Sequence, residues 1–218
     1  MSAKKYDVYA IGNAIVDYEI EVDNIFLEEN GVEKGLMTLA EQGRQDNLLR
    51  AAKSNIRKKQ AGGSAANSVV ALTQLGGKGF YSCKVASDAD GKFYREDLSE
   101  QGVDTNLSDG KLDQGETGKC LVMITPDAER TMSTFLGISS NFSLSELDIN
   151  HLEDSHYLFL EGYLVSSPSG LEAIKEAKNL AKASDVQIAL TFSDPSMVKY
   201  FGEQMNELVG DGVDLLFC

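Results

Sequence analysis

Short apolar segments recur along this chain with helix-forming segments between them, and this alternation limits its folding more than any other feature. Asp7 to Gly12, Lys78 to Lys84, His156 to Leu160, Val186 to Phe192 and Gly212 to Cys218 each read as a strand, the last as the start of a buried one. A helix opens after Gly62-Gly63, with Val69, Val70, Leu72 and Leu75 as its apolar residues and Gly76-Gly77 as its stop. A second follows Asp90, with Phe93, Tyr94 and Leu98 on one side and Gly102 just past its end. A third places Leu171, Ile174, Ala177 and Ala181 inward. Strand–helix–strand order predicts an α/β fold with a parallel sheet and crossover helices. Three Ser/Thr-x-x-Glu spacings, Thr38 with Glu41, Ser143 with Glu146 and Ser169 with Glu172, predict capped helix starts. The first of these helices runs to about Ser54, and Ser193-Asp194-Pro195 turns the chain.

The middle of the chain breaks the pattern. Cys120 to Thr125 and Arg130 to Phe135 flank Pro126-Asp127-Ala128-Glu129, which is a hairpin with turn chemistry at its tip. Tyr18-Glu19-Ile20-Glu21-Val22 alternates apolar and acidic, as a strand with one wet face does, and is the expected pairing partner of the hairpin. Glu28 to Gly35 reads as loop, and Ile56 to Gln60 as a basic extended piece.

Charge and composition exclude several classes. A formal net charge of -14 over 218 residues argues against nucleic acid and anionic membranes as partners. No apolar run approaches the ~20 residues of a membrane span, and Met1 to Tyr6 holds no hydrophobic signal region. Three cysteines with no CxxC pair predict reduced thiols and a cytoplasmic protein. His151 and His156 have no Cys or HExxH neighbour and make a poor metal site, so no metal ligand is assigned. The length suits one domain with a small appendage. A core strand with no turn after it predicts that the chain is truncated at Cys218.

Ligands of open parallel sheets sit at the carboxyl ends of the strands. Four polar sets fall there: Asn13 with Asp17, Gly62 to Asn67, Glu161, and Ser193-Asp194. The Gly62-Gly63 pair lets backbone approach closely, and the free N–H groups of the helix turn that follows favour an electron-rich ligand. Asn67 adds an amide that donates and accepts, and Asp17 can accept two hydrogen bonds from adjacent hydroxyls of a sugar. No GxxxxGK[ST], GxSxG or GxGxxG run competes with this reading, and neither histidine neighbours a nucleophile in sequence.

Gly12-Asn13-Ala14-Ile15-Val16-Asp17, Gly62-Gly63-Ser64-Ala65-Ala66-Asn67 and Asp88-Ala89-Asp90-Gly91 with Gly102-Val103-Asp104-Thr105 together resemble the ribokinase/PfkB carbohydrate kinase family. Glu116-Thr117-Gly118, the hairpin 124–132, Glu161-Gly162-Tyr163-Leu164 and Ser193-Asp194-Pro195 are similar to the adenosine-kinase-like sugar kinases of bacteria. The resemblance implies a ribokinase-like three-layer sandwich with a mostly parallel central sheet. It also implies a small β lid from about 17–39 and 112–137, built from the strand at 18–22, the segment near Met37 and the hairpin. By that match Asp17, Gly62, Gly63 and Asn67 hold substrate hydroxyls, Asn13 supports Asp17 and Tyr163 borders the site. Ser64, within the glycine loop, and Glu161, at its strand end, are expected to bind substrate as well.

The implied reaction is phosphoryl transfer from ATP with Mg2+ to a hydroxymethyl group of a sugar or nucleoside, which is chiefly positioning and charge stabilisation. The family's catalytic aspartate lies in a Gly-Ala-Gly-Asp run whose amides form an anion hole, and an earlier Asn-x-x-Glu helps organise the metal. The chain stops at Cys218, about where the strand leading to that Asn-x-x-Glu would end. The expectation is therefore the substrate-binding, N-terminal part of a kinase, inactive alone, with its catalytic base and ATP-binding part beyond Cys218. Two positions depart from the pattern: Ala86 stands where glycine is usual, and Ser196 where animal adenosine kinases place an aromatic residue. A non-catalytic sugar- or nucleoside-binding module is the alternative, and a homodimer formed through the β lid is a third reading.

Overall fold

Residues 4–107, 112–210 and 212–218 are described by the computed structural model, so Met1 to Ala3 of the amino-terminal reading lie outside the described residues. In chain order the elements are β1 (Tyr6–Ile11), β2 (Ile15–Glu21), α1 (Asn24–Glu29), β3 (Met37–Leu39), α2 (Gln42–Ala51), β4 (Ile56–Gly62), α3 (Ser64–Gln74), β5 (Gly79–Ser82) and α4 (Ala89–Glu100). Then follow β6 (Asp104–Thr105), β7 (Thr117–Ile124), β8 (Arg130–Gly137), α5 (Ile149–Glu153), β9 (Ser155–Glu161), α6 (Pro168–Ala183), β10 (Gln187–Thr191), α7 (Pro195–Gly210) and β11 (Leu215–Phe217).

The six-stranded sheet has the order β11-β10-β9-β1-β5-β6, and every pair in it is parallel. Alternate residues of each strand face opposite layers. Ala10 and Tyr81 pack with α3 and α4 through Ala65, Ala66, Val69, Tyr94 and Leu98. Tyr9, Ile11 and Phe80 pack on the other side with Leu152, Ile174, Ala177 and Met205 from α5, α6 and α7. The sheet is thus the middle layer of three, as the alternation of strands and helices requires.

A second, five-stranded sheet has the order β3-β8-β7-β2-β4. The hairpin β7–β8 is antiparallel, and β2 joins it in parallel at β7, so the alternating segment pairs with the hairpin as expected. The sheet also takes in β4, antiparallel to β2, from the basic extended piece that lies outside the 17–39 and 112–137 segments. The strands of this sheet meet the main body at one end. Ile15 at the start of β2 is in register with Gly62 at the end of β4 and with Gly118 near the start of β7, and Thr117 is in register with Gly137 at the end of β8.

Several local expectations are corrected. Thr38 does not cap a helix: it lies in β3 opposite Ser133, and the flanking bonds Met132 N–H to Leu36 and Ala40 N–H to Thr134 claim that backbone for the sheet. Helix α2 begins at Gln42 instead. The cap of α6 is Ser167, not Ser169: its hydroxyl accepts from Gly170 N–H at 3.0 Å, and Pro168 fills the first helical position. The Ser143–Glu146 capping box is formed, on a single 3₁₀ turn. In α3 the small residues Ala65 and Ala66 face inward with Val69, and Leu75 is 88% exposed. Part of the stretch taken as loop is helical, because Asp23 accepts from Phe26 N–H and caps α1. Strand β11 forms but is not buried: Leu215, Leu216 and Phe217 are 46%, 42% and 52% exposed on the sheet edge.

The face of the second sheet against α2 is fastened by a fully buried polar side chain. The Gln45 amide donates to the carbonyls of Lys119 at 3.1 Å and Ser133 at 2.9 Å, and its oxygen accepts from Ser133 Oγ at 2.9 Å. Gln45→Leu strands the Ser133 hydroxyl in a dry site and is expected to destabilise the chain by about 1–2 kcal/mol. Urea unfolding checks this; an unchanged midpoint and slope would show that the amide contributes nothing.

Candidate functional site

Two chain passages between the second sheet and the main body lie side by side. Gly12-Asn13-Ala14 carries the chain from β1 to β2, and Gly62-Gly63 carries it from β4 into α3. Each is pinned by a buried tyrosine of the main body: Tyr81 donates its hydroxyl to the Asn13 carbonyl at 3.0 Å, and Tyr94 to the Gly62 carbonyl at 2.8 Å. Ala61 N–H donates to Asp97 Oδ2 at 2.6 Å. Ser139, just after β8, accepts from Ala14 N–H at 2.9 Å and donates to Asn13 Oδ1 at 3.1 Å. Sequence reasoning missed Tyr81, Tyr94 and Ser139. A tyrosine in an apolar run signals that its hydroxyl needs a partner, but not which one.

The two glycines answer to different neighbours. Gly63 has φ +103°, and a side chain there would also enter the Asn13 carbonyl oxygen. Gly62 faces the Asp17 carboxyl group, which occupies the space a Cβ would need.

Glu161 ends β9 beside β1 and is 1% exposed. One oxygen accepts from Asn13 N–H at 2.5 Å; the other accepts from Ser64 N–H at 3.1 Å, from the Ser64 hydroxyl and from Ala65 N–H at 3.4 Å. The amino end of α3, expected to offer its N–H groups to a ligand, therefore has an acceptor within the chain. Burial raises the Glu161 pKa, while the bonds from Ser64, Asn13 and Ala65 lower it. Gly12 is needed here as well, since a Cβ would stand 2.6 Å from Glu161 Oε2.

Asp17 is in a contrasting position. It is half-buried on β2, between Gln60 of β4 and Cys120 of β7. Among the described residues no hydrogen bond or ion pair reaches its carboxylate, and burial pushes its pKa up to about 6 against the opposing pull of Arg130. Cys120, its neighbour in the next strand, accepts from Thr134 Oγ1 at 3.4 Å, and burial pushes its thiol up to about 11. A desolvated carboxylate without a partner calls for a donor from outside the chain.

The remaining expected residues stand at the periphery. Asn67 is exposed in the first turn of α3, with its N–H on the Gly63 carbonyl at 2.9 Å. Tyr163 is half-buried in the 3₁₀ turn after β9, its phenol pushed up to about 12 by burial and by Asp194 and Glu161. Ser193 follows β10 with φ +65°, and among the described residues its hydroxyl has no partner. The structure thus joins Asn13, Ser64 and Glu161 through hydrogen bonds and sets Asp17 on Gly62. Among the described residues the Asn67 side chain and Tyr163 enter none of those bonds.

This donor set is one open carboxylate with amides and hydroxyls around it, which suits a polyol. Among the described residues no group of three or more His, Cys, Asp or Glu side chains could hold a metal ion. The donor set does not fit a metal–nucleotide complex. No helix is long and apolar enough to cross a membrane, as judged on the described residues.

The family model described as pfkB family carbohydrate kinase matches residues 37–218. A 5-dehydro-2-deoxygluconokinase of Clostridium botulinum is 30% identical over 142 residues, covering 62% of this chain and 41% of that protein. Among solved structures, an adenosine kinase from Sinorhizobium meliloti is 35% identical with a TM-score of 0.87, covering 97% of this chain and 64% of the other. A probable sugar kinase from Rhizobium etli is 29% identical with a TM-score of 0.87, covering 98% and 64%. The chain thus spans less than two thirds of each of these proteins.

Proposed function

The chain belongs to the pfkB family of carbohydrate kinases, and from that premise we propose that Asp17 and the loop 62–67 bind the hydroxyls of a sugar or nucleoside. The whole protein then phosphorylates a hydroxymethyl group of that substrate. The observation that carries this reading is the Asp17 carboxylate, half-buried, unpartnered among the described residues and seated on Gly62. A vicinal diol satisfies both of its oxygens and contributes the donors that burial has taken away. Gly62 and Gly63 leave room for a sugar ring to lie against backbone. Asn67 and Tyr163 border the ring, and Asn13, Ser64 and Glu161 fix the loop from behind.

ATP with Mg2+, the phosphoryl donor of this reading, supplies the group that is transferred. Residues 4–218 hold and orient the acceptor, and the catalytic base is assigned beyond Cys218. Residues 1–218 alone are accordingly proposed to be inactive. The cytoplasm is the proposed compartment, in keeping with three free cysteines.

A phosphorylation screen tests the reading. The whole protein with ATP is offered adenosine, D-ribose and 5-dehydro-2-deoxygluconate, chosen from the names of the relatives and the family resemblance. ATP-dependent phosphorylation of at least one is expected, with no turnover by residues 1–218 alone. Failure with all three, and with a wider panel of hydroxymethyl sugars, would refute the kinase reading. Turnover by residues 1–218 would refute the assignment of the base.

A further inference from the structure

Helix α4 presents Asp90, Tyr94 and Asp97 at i, i+4 and i+7, a spacing that aligns side chains along one helix face. Tyr94 and Asp97 hold the root of β4 at Gly62 and Ala61. Asp90 reaches further out along the second sheet. Its Oδ1 accepts from Tyr18 Oη at 2.6 Å and lies 2.6 Å from Lys59 Nζ, and its Oδ2 lies 3.6 Å from Lys119 Nζ. These three partners share one relationship to Asp17. Tyr18 follows Asp17 in β2, Lys59 precedes its β4 partner Gln60, and Lys119 precedes its β7 partner Cys120. Side chains one residue apart in a strand point to opposite faces. A single carboxylate therefore reaches side chains of three adjacent strands from behind the row that carries Asp17. It bonds β2, pairs closely with β4 and more loosely with β7, where Glu116 is the nearer partner of Lys119. The Lys59 ammonium also lies 4.2 Å from the centre of the Phe93 ring, which binds it to the same helix. The grip is largely dry, with the Asp90 and Lys119 side chains 13% and 9% exposed, where charge-assisted bonds are strong.

We infer that Asp90 is a positioning residue for Asp17: it fixes the tilt of β2, β4 and β7 on α4, and so the distance between the Asp17 carboxylate and the loop 62–67. The inference rests on the assignment of Asp17 as the substrate carboxylate. Asp90 touches no substrate in this scheme. Its three contacts hold the strands where α4, part of the main body, places them.

Two native cysteines make the test independent of any substrate. Cys120 lies in the Asp17 row and is 7% exposed, whereas Cys83 follows β5 in the core of the main body and is fully buried. In the purified chain carrying Cys218→Ser, maleimide labelling of the two thiols is followed separately by mass spectrometry. Asp90→Ala is expected to speed labelling of Cys120 by about tenfold or more through local opening, with Cys83 unchanged. Asp90→Glu, which keeps the charge, is expected to restore most of the protection. A parallel rise at both cysteines would mean general loosening and would overturn the inference, as would an unchanged rate at Cys120. Failure of the phosphorylation screen leaves this readout untouched, so the two readings fail separately.

Discussion

Glu161→Leu is expected to destabilise the protein by about 3–5 kcal/mol, because it removes the acceptor for several donors at once. Asn13 and Ala65 are buried, so their N–H groups have no water to turn to; Ser64, at the surface, has. Replacing a buried ion by a hydrocarbon can be neutral when its partners go with it. Here the partners are backbone groups and remain. The loss also frees the end of β1 from the start of α3, so amide exchange should rise first at Asn13, Ser64 and Ala65. Urea unfolding with hydrogen exchange measures both. A change below 1 kcal/mol would mean that water replaces the carboxylate at little cost. Glu161→Gln keeps one acceptor oxygen and should fall between.

Asp17→Asn is expected to act with opposite signs on stability and on binding. The folded chain holds the Asp17 proton up to about pH 6, against an ordinary value of 3.8. A group whose acidity is weakened by folding stabilises the fold fully below its unfolded value, and that contribution is lost as pH rises through the folded one. At pH 7 the wild-type chain therefore bears the cost of a desolvated charge. Discounted for partial exposure, its removal should stabilise the free protein by about 1–2 kcal/mol. The gain should shrink as pH falls through 6 and vanish below about 4. Binding of the substrate found by the screen should meanwhile weaken by about 2–3 kcal/mol, as charge-assisted bonds to two hydroxyls are lost. For the wild type the same affinity should fall as pH drops through 6. Thermal unfolding and calorimetric titration across pH 4–8 read the two effects. A destabilised Asn variant, or one with full affinity, would contradict the assignment of Asp17.

The layered core was legible because apolar strands and amphipathic helices follow fixed periods: β1, β5, β9 and β10 all fall where the pattern places them. The hairpin β7–β8 was legible from its turn residues. Local signals failed where long-range pairing overrode them. Thr38 carries cap chemistry, yet β8 supplies backbone partners that a cap cannot match. Ile56 to Gln60 reads as extended and is strand β4, but its charges do not announce which strand it pairs with: Lys58 and Lys59 lie opposite Glu19 and Tyr18 of β2, and Lys59 is paired with Asp90. In the site, residue types were readable and their allegiances were not. Glu161 and the first turn of α3 were both singled out, but only the fold shows that they bond to each other. Asp90, 73 residues beyond Asp17, carried no mark of its connection to it.

The glycine-lined row at the root of the second sheet has a mechanical consequence. The strands β2, β4, β7 and β8 all meet the main body there, near Ile15, Gly62, Gly118 and Gly137, so that row is the natural axis for any rocking of the sheet. Displacement then grows with distance from the axis. Asp17 lies two residues along β2, about 7 Å out, and Glu21 six residues along, about 20 Å out. A rotation of about 15° would carry Glu21 roughly 5 Å and Asp17 less than half as far. The short lever arm leaves Asp17 close to Gly62 whatever the tilt, while the outer rim of the sheet is the part that such a rotation displaces most.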